Sequence, residues 1–181
     1  YHEVRREFLE ALRPCSTTVC QPALLAPDAT IQVDMVAIDP ALAPPKEPIA
    51  TDKLPQPLSG AGYAPAIRVG DYIFVAGQVA TDFRTGIPPE AGVNPVFWEG
   101  SPIRRQTEYV LKNLALALEA AGSDLEHVVK AQIWLADIAD LPRMEDAWRA
   151  AFPHDPPART VLPCTGFGVL GGLIEVNLVA L

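Results

Sequence analysis

A chain of 181 residues with 49% apolar and 20% charged composition can bury one or two small cores. Its formal charge of -8 and pI near 4.8 repel polyanions on average, which argues against a nucleic-acid partner. No apolar run reaches the roughly 18 residues of a membrane span, and no basic, apolar leader opens the sequence, so no membrane partner and a cytoplasmic location are expected.

The first residues already read as the middle of a helix, with Tyr1, Val4, Phe8 and Leu12 at helical spacing, so an upstream part of this unit is expected. Ile31 to Ile38 follows as a β-branched, apolar strand. From 40 to 57 the chain carries six prolines (Pro40, Pro44, Pro45, Pro48, Pro55, Pro57), which remove backbone donors and favour extended backbone; this is the expected linker.

The trailing segment, 58–181, opens with strands Ala66 to Val69 and Tyr72 to Val79 joined by the turn residues Gly70-Asp71, a hairpin pattern. Thr81 to Pro102 carries seven glycines and prolines (Gly86, Pro88, Pro89, Gly92, Pro95, Gly100, Pro102) and predicts a long ordered loop anchored by Phe97 and Trp98. Arg105 to Ala121 places Val110, Leu114, Ala117, Leu118 and Ala121 on one face, and Gly122 stands where a left-handed residue would end the helix. Val128 to Leu135 is the next strand. Asp140 is the expected cap of a second helix with Pro142 in its first turn and Leu141, Met144, Trp148 and Phe152 as its apolar stripe. The order β-β-α-β-α-β-β predicts an α+β sandwich, with two helices on one face of a mostly antiparallel sheet whose other face is covered by association.

The two ends of the chain are related. At an offset of 143, Ile31-Gln32-Val33-Asp34-Met35-Val36-Ala37-Ile38 faces Ile174-Glu175-Val176-Asn177-Leu178-Val179-Ala180-Leu181 with four identities. The same offset pairs Pro14 with Pro157 and Thr17 with Thr160, and a one-residue shift pairs Phe8 with Phe152. An internal repeat accounts for this. Residues 1–39 are then expected to form the C-terminal half (helix, strand, strand) of a divergent first module. Residues 58–181 are expected to form a complete one.

Four patterns carry a family resemblance: Gly62-Tyr63-Ala64-Pro65-Ala66, Val75-Ala76-Gly77-Gln78, Glu119-Ala120-Ala121-Gly122 with Val128-Val129-Lys130, and Pro156-Pro157-Ala158-Arg159-Thr160 followed by Ile174-Glu175-Val176. Together they span the module, and it resembles the RidA (YjgF) family. The resemblance implies a chorismate-mutase-like sheet, a trimeric or pseudo-trimeric barrel with clefts between neighbours, and cofactor-independent hydrolysis of imino or enamino acids to keto acids and ammonia. The implied partners are a small carboxylate-bearing metabolite and either further copies of the chain or another module that closes the ring. The arginine matching the family's carboxylate holder is Arg159, and Tyr63 and Gly77 match positions lining its pocket.

The chemistry of these residues agrees. A guanidinium offers a planar fork that a carboxylate accepts in two parallel bonds, and the bland alternative for Arg159 is a surface ion pair. Glu175 sits in an apolar strand, where it is either a buried carboxyl able to orient and deprotonate water or an outward residue of an alternating strand. A tyrosine hydroxyl can bond a substrate's polar end and a glycine admits close backbone approach, although both residues also serve ordinary packing. Glu145 departs from the family's asparagine and would repel a second acid group, unless Arg104 and Arg105 face inward.

In the first copy Ser16 replaces Arg159 and Gln32 replaces Glu175, which predicts a silent module. His2, His127 and His154 are scattered, and Cys15, Cys20 and Cys164 show no metal spacing, so no metal site, no cofactor and free thiols are expected. The alternatives to a deaminase are a metabolite-binding or regulatory module without turnover, and an endoribonuclease, which the acidic composition disfavours.

Overall fold

The computed structural model describes residues 2–9, 11, 13–56, 62–94, 96 and 100–181. Tyr1, Leu12, Pro57 with the first residues of the expected module up to 61, Pro95 and the Phe97-Trp98 anchor lie outside the described residues.

In chain order the elements are α1 (His2–Leu9), β1 (Val19–Cys20), β2 (Glu47–Ile49), β3 (Ala66–Val69), β4 (Tyr72–Val79), α2 (Pro102–Ala120), β5 (Val128–Leu135), α3 (Leu141–Ala151), β6 (Ala158–Pro163), β7 (Gly166–Phe167) and β8 (Ile174–Ala180). Six strands form one sheet in the order β2-β3-β4-β8-β5-β6, antiparallel throughout except for the parallel pair β5 and β6. The predicted β-β-α-β-α-β-β order is present, and β7 is an added short strand that pairs with β1.

Alternation decides the faces. Ile73 and Val75 of β4, Ala131, Ile133 and Leu135 of β5, and Ile174, Val176 and Leu178 of β8 are buried against α2 and α3. α2 contributes Val110, Leu114, Ala117 and Leu118, and α3 contributes Met144 and Trp148, as their spacing predicts. Ser101 caps α2, accepting from Arg104 N at 3.4 Å, and Gly122 ends it at φ +78, a conformation that costs a glycine little. Asp140 occupies the cap position of α3 but makes no side-chain capping bond; Asp137 caps the turn before it, accepting from Ala139 N at 2.9 Å.

Three expectations need correction. The segment 40–57 is more than a linker, because β2 adds an edge strand to β3 and Leu54 is buried in the core. Pro48 fits there since an edge strand leaves one row of backbone donors unused. In the leading segment Val4 and Phe8 are 58% and 72% exposed, and Arg5 of α1 is buried. Finally, residues 31–38 form no strand and lie exposed. β8, to which they align at the offset of 143, is held between β4 and β5, and no described strand offers 31–38 such neighbours.

No described helix is long and apolar enough to cross a membrane.

Candidate active site

The sheet face opposite α2 and α3 carries the polar residues of β8. Glu175 pairs with Trp134 of β5 and Val79 of β4, and Asn177 pairs with Gln132, so both carboxyl and amide point away from the helices. Gln106, buried on α2, fixes the entry to β8 by donating to Gly171 O at 2.9 Å and accepting from Leu173 N at 2.8 Å.

The ladder between β4 and β8 shifts register between Val75 and Gln78, and Gly77 sits in this irregularity. A Cβ on Gly77 would meet Glu175 Oε1 and come within 2.9 Å of Thr17 Oγ1, so a side chain here would push the carboxyl and the hydroxyl out of their places, and glycine permits the close approach. Glu175 is 6% exposed, and burial pushes its carboxyl from 4.5 up to about 7, against a lowering bond from the Thr18 backbone N–H. Of the two positions left open for Glu175, the buried one is found, with a proton affinity suited to acid–base work near neutrality.

The leading segment lies over this position. Gly77 N donates to Ser16 O at 3.1 Å and to Thr17 Oγ1 at 3.1 Å, and Asn177 Nδ2 donates to the same Thr17 oxygen at 3.0 Å. Cys15 Sγ donates to Phe74 O at 2.9 Å, and burial pushes its thiol up to about 12. The next turn of contact is made by β1, with Thr165 N donating to Cys20 O at 2.9 Å.

Tyr63 is half-buried beside this group. Burial and then the Glu175 charge raise its hydroxyl above the ordinary value, opposed by the charge of Arg5. Its ring lines a cleft with Leu54, Gln56, Pro65, Gln78 and Phe83. Tyr63, Gly77 and Glu175, three of the four residues singled out from sequence, therefore gather on one side of the sheet.

Arg159 does not join them. In β6 it pairs with Ala131, whose side chain is buried on the helix side, and its guanidinium stands 5.3 Å from the Trp148 ring centroid while pairing with Glu145 of α3. Arg159 and Glu175 of one chain thus face opposite sides of one sheet. Glu145, expected to repel acidic substrates, is instead the counter-ion of Arg159 and approaches Arg149 Nε at 3.7 Å. Arg104 and Arg105 are exposed on α2, with Arg104 bonded to Glu108 at 2.9 Å, and neither reverses the charge of a pocket.

Sequence reasoning missed Thr17, Asn177, Gln106 and Arg5. Asn177 was signalled by its place two residues after Glu175 on an alternating strand, and Thr17 by its identity with Thr160 at the offset of 143. Among the described residues no cluster of three or more His, Cys, Asp or Glu side chains is arranged to hold a metal. The three cysteines are free, and His127 bonds Asp124 at 2.8 Å on the surface.

The sequence pattern of the family described as Endoribonuclease L-PSP matches residues 54–181, which includes the buried Leu54. A RutC family protein of Saccharolobus solfataricus is 34% identical over 135 residues, covering 75% of this chain and 97% of that one. Reactive Intermediate Deaminase A, chloroplastic, of Arabidopsis thaliana is 33% identical over 135 residues, covering 75% of this chain and 65% of the relative. The crystal structure of RidA from an Antarctic Psychrobacter species superposes with a TM-score of 0.60 at 28% identity, covering 74% of this chain and 98% of that one.

Proposed function

Because the chain belongs to the endoribonuclease L-PSP family, whose members include reactive-intermediate deaminases of the RidA type, we propose that it is a cofactor-independent hydrolase converting small imino or enamino carboxylates to keto acids and ammonia. The observation that carries this is the buried Glu175 carboxyl, raised to about 7 and set against the Gly77 backbone.

Glu175 in its ionised form takes a proton from water as the water oxygen attacks the iminium carbon, giving a carbinolamine. It then returns that proton to the nitrogen, and as the C–N bond breaks the carbinolamine hydroxyl becomes the keto oxygen and its proton passes to the departing ammonia. The iminium form of the imino acid plus water becomes keto acid plus ammonium, and the carboxylate ends as it began. Tyr63 bonds the substrate's polar end. The carboxylate is held by Arg159, which reaches a Glu175 groove only from another chain or module, since its own is on the far side of the sheet. This arrangement supports a ring of such units, built from copies or completed by another module, with residues 1–39 as the relic of a first module; the cytosol is its proposed location.

A second reading, a metabolite-binding module without turnover, is favoured by one fact: Thr17 and Ser16 already occupy the Gly77 amide.

Ammonia release from freshly generated imino acids, run beside RNA cleavage, tests the reading. The wild type should release ammonia, Glu175→Gln should lose about 100-fold or more, and Arg159→Lys should fail to rescue Arg159→Ala, each losing tens to thousands of fold. RNA cleavage without ammonia release would overturn it.

A further inference from the structure

The segment over Glu175 is no arbitrary stretch of chain. Pro14 to Cys20 is the repeat counterpart of Pro157 to Pro163, the strand that carries Arg159, with Ser16 in the place of the arginine and Thr17 matching Thr160. One copy of this repeat is seated on the Gly77–Glu175 groove by four named bonds: from Gly77 N to Ser16 O and Thr17 Oγ1, from Asn177 Nδ2 to Thr17 Oγ1, and from Cys15 Sγ to Phe74 O. The other copy, β6, is an open edge of the six-stranded sheet, with Thr160, Leu162 and Pro163 exposed.

We propose that residues 14–20 are an intramolecular cap holding the place of the β6 strand of a second copy, so that the Gly77–Glu175 groove exchanges between a closed form that lacks an arginine and an open form that receives Arg159 from a neighbour. This rests on the proposed deaminase reading for what the groove does once opened, and on the repeat and the seated contacts for the exchange itself.

Magnitudes decide which form dominates. A cap tethered in the same chain acts at an effective concentration on the order of millimolar, so at micromolar chain concentration the closed form prevails. Association through other surfaces places a neighbour's β6 at a comparable local concentration, and Arg159 then offers Glu175 a charge-assisted partner that Ser16 cannot. Specific activity should therefore rise with chain concentration.

The cap reports its own position through Cys15. As part of the cap, its thiol is half-buried against β4 and bonded to Phe74 O, so alkylation requires the cap to lift. The experiment uses the full chain carrying Cys20→Ser, with iodoacetamide labelling at Cys15 followed by peptide mass mapping. A synthetic peptide of residues 154–166 with Cys164→Ser, which cannot consume the reagent, is the competitor. Labelling should accelerate at least tenfold as the peptide approaches millimolar concentration, and a peptide with Arg159→Ser should need several-fold more. In a second arm without peptide, Thr17→Val removes the acceptor shared by Gly77 and Asn177, and labelling should rise several-fold with the thermal midpoint monitored beside it. Labelling that ignores both the peptide and Thr17→Val overturns the cap. If labelling responds but no chain releases ammonia, the exchange stands and the deaminase reading falls.

Discussion

At the scale of single residues, Glu175 couples folding to pH. Burial holds its carboxyl at about 7 against 4.5 for the free group, so the folded chain binds this proton more tightly than the unfolded chain. Its contribution to stability is complete below pH 4.5 and is lost as the pH rises through 7. A shift of this size corresponds to about 3 kcal/mol. Glu175→Gln cannot ionise and should remove that loss: unfolding free energies from urea titrations at pH 5 and pH 8 should differ by about 3 kcal/mol less in the variant than in the wild type. Equal differences would place the carboxyl in contact with water. Gly77 is the neighbouring constraint, because any side chain there meets either Glu175 or Thr17.

At the scale of elements, α3 and β6 form a unit around Trp148. Its ring is 2% exposed, packs on Phe152 at 4.5 Å between centroids and carries the Arg159 guanidinium on its face. Its indole N–H is buried and has no hydrogen-bond partner among the described residues. Trp148→Ala should therefore cost about 3–5 kcal/mol, whereas Trp148→Phe, which keeps an aromatic ring and removes the unpaired donor, should cost less than about 1.5 kcal/mol. Equal losses in urea titrations would show that the N–H has a partner. The strand-like residues 31–38 make the opposite point. They share four identities with β8, yet a strand forms only where another strand pairs with it; β8 has one on each side, and no described strand pairs with 31–38.

At the scale of the whole molecule, two sheet edges are open and Ile31, Val33, Met35 and Val36 are all more than half exposed. The chain should associate, and light scattering between 1 and about 100 µM should return a mass above the 19.5 kDa of one chain; a constant monomer mass would remove both the ring and the shared groove. Sequence by itself determined the α+β class, the element order and the apolar faces of α2 and α3, because periodicity, turn residues and short motifs are local properties of the chain; Tyr63, Gly77 and Glu175 it offered as candidates, on a family resemblance and on a carboxylate in an apolar strand. It could not tell which face of the sheet each charged side chain occupies, since that follows from the pairing of β5 with β6 and β8. Only the tertiary structure placed Arg159 behind the sheet from Glu175, gave it Glu145 as counter-ion, and laid Thr17 on Gly77 across sixty residues of sequence. Those contacts join segments distant in the chain, and their partners are chosen by packing and hydrogen-bond satisfaction rather than by local pattern.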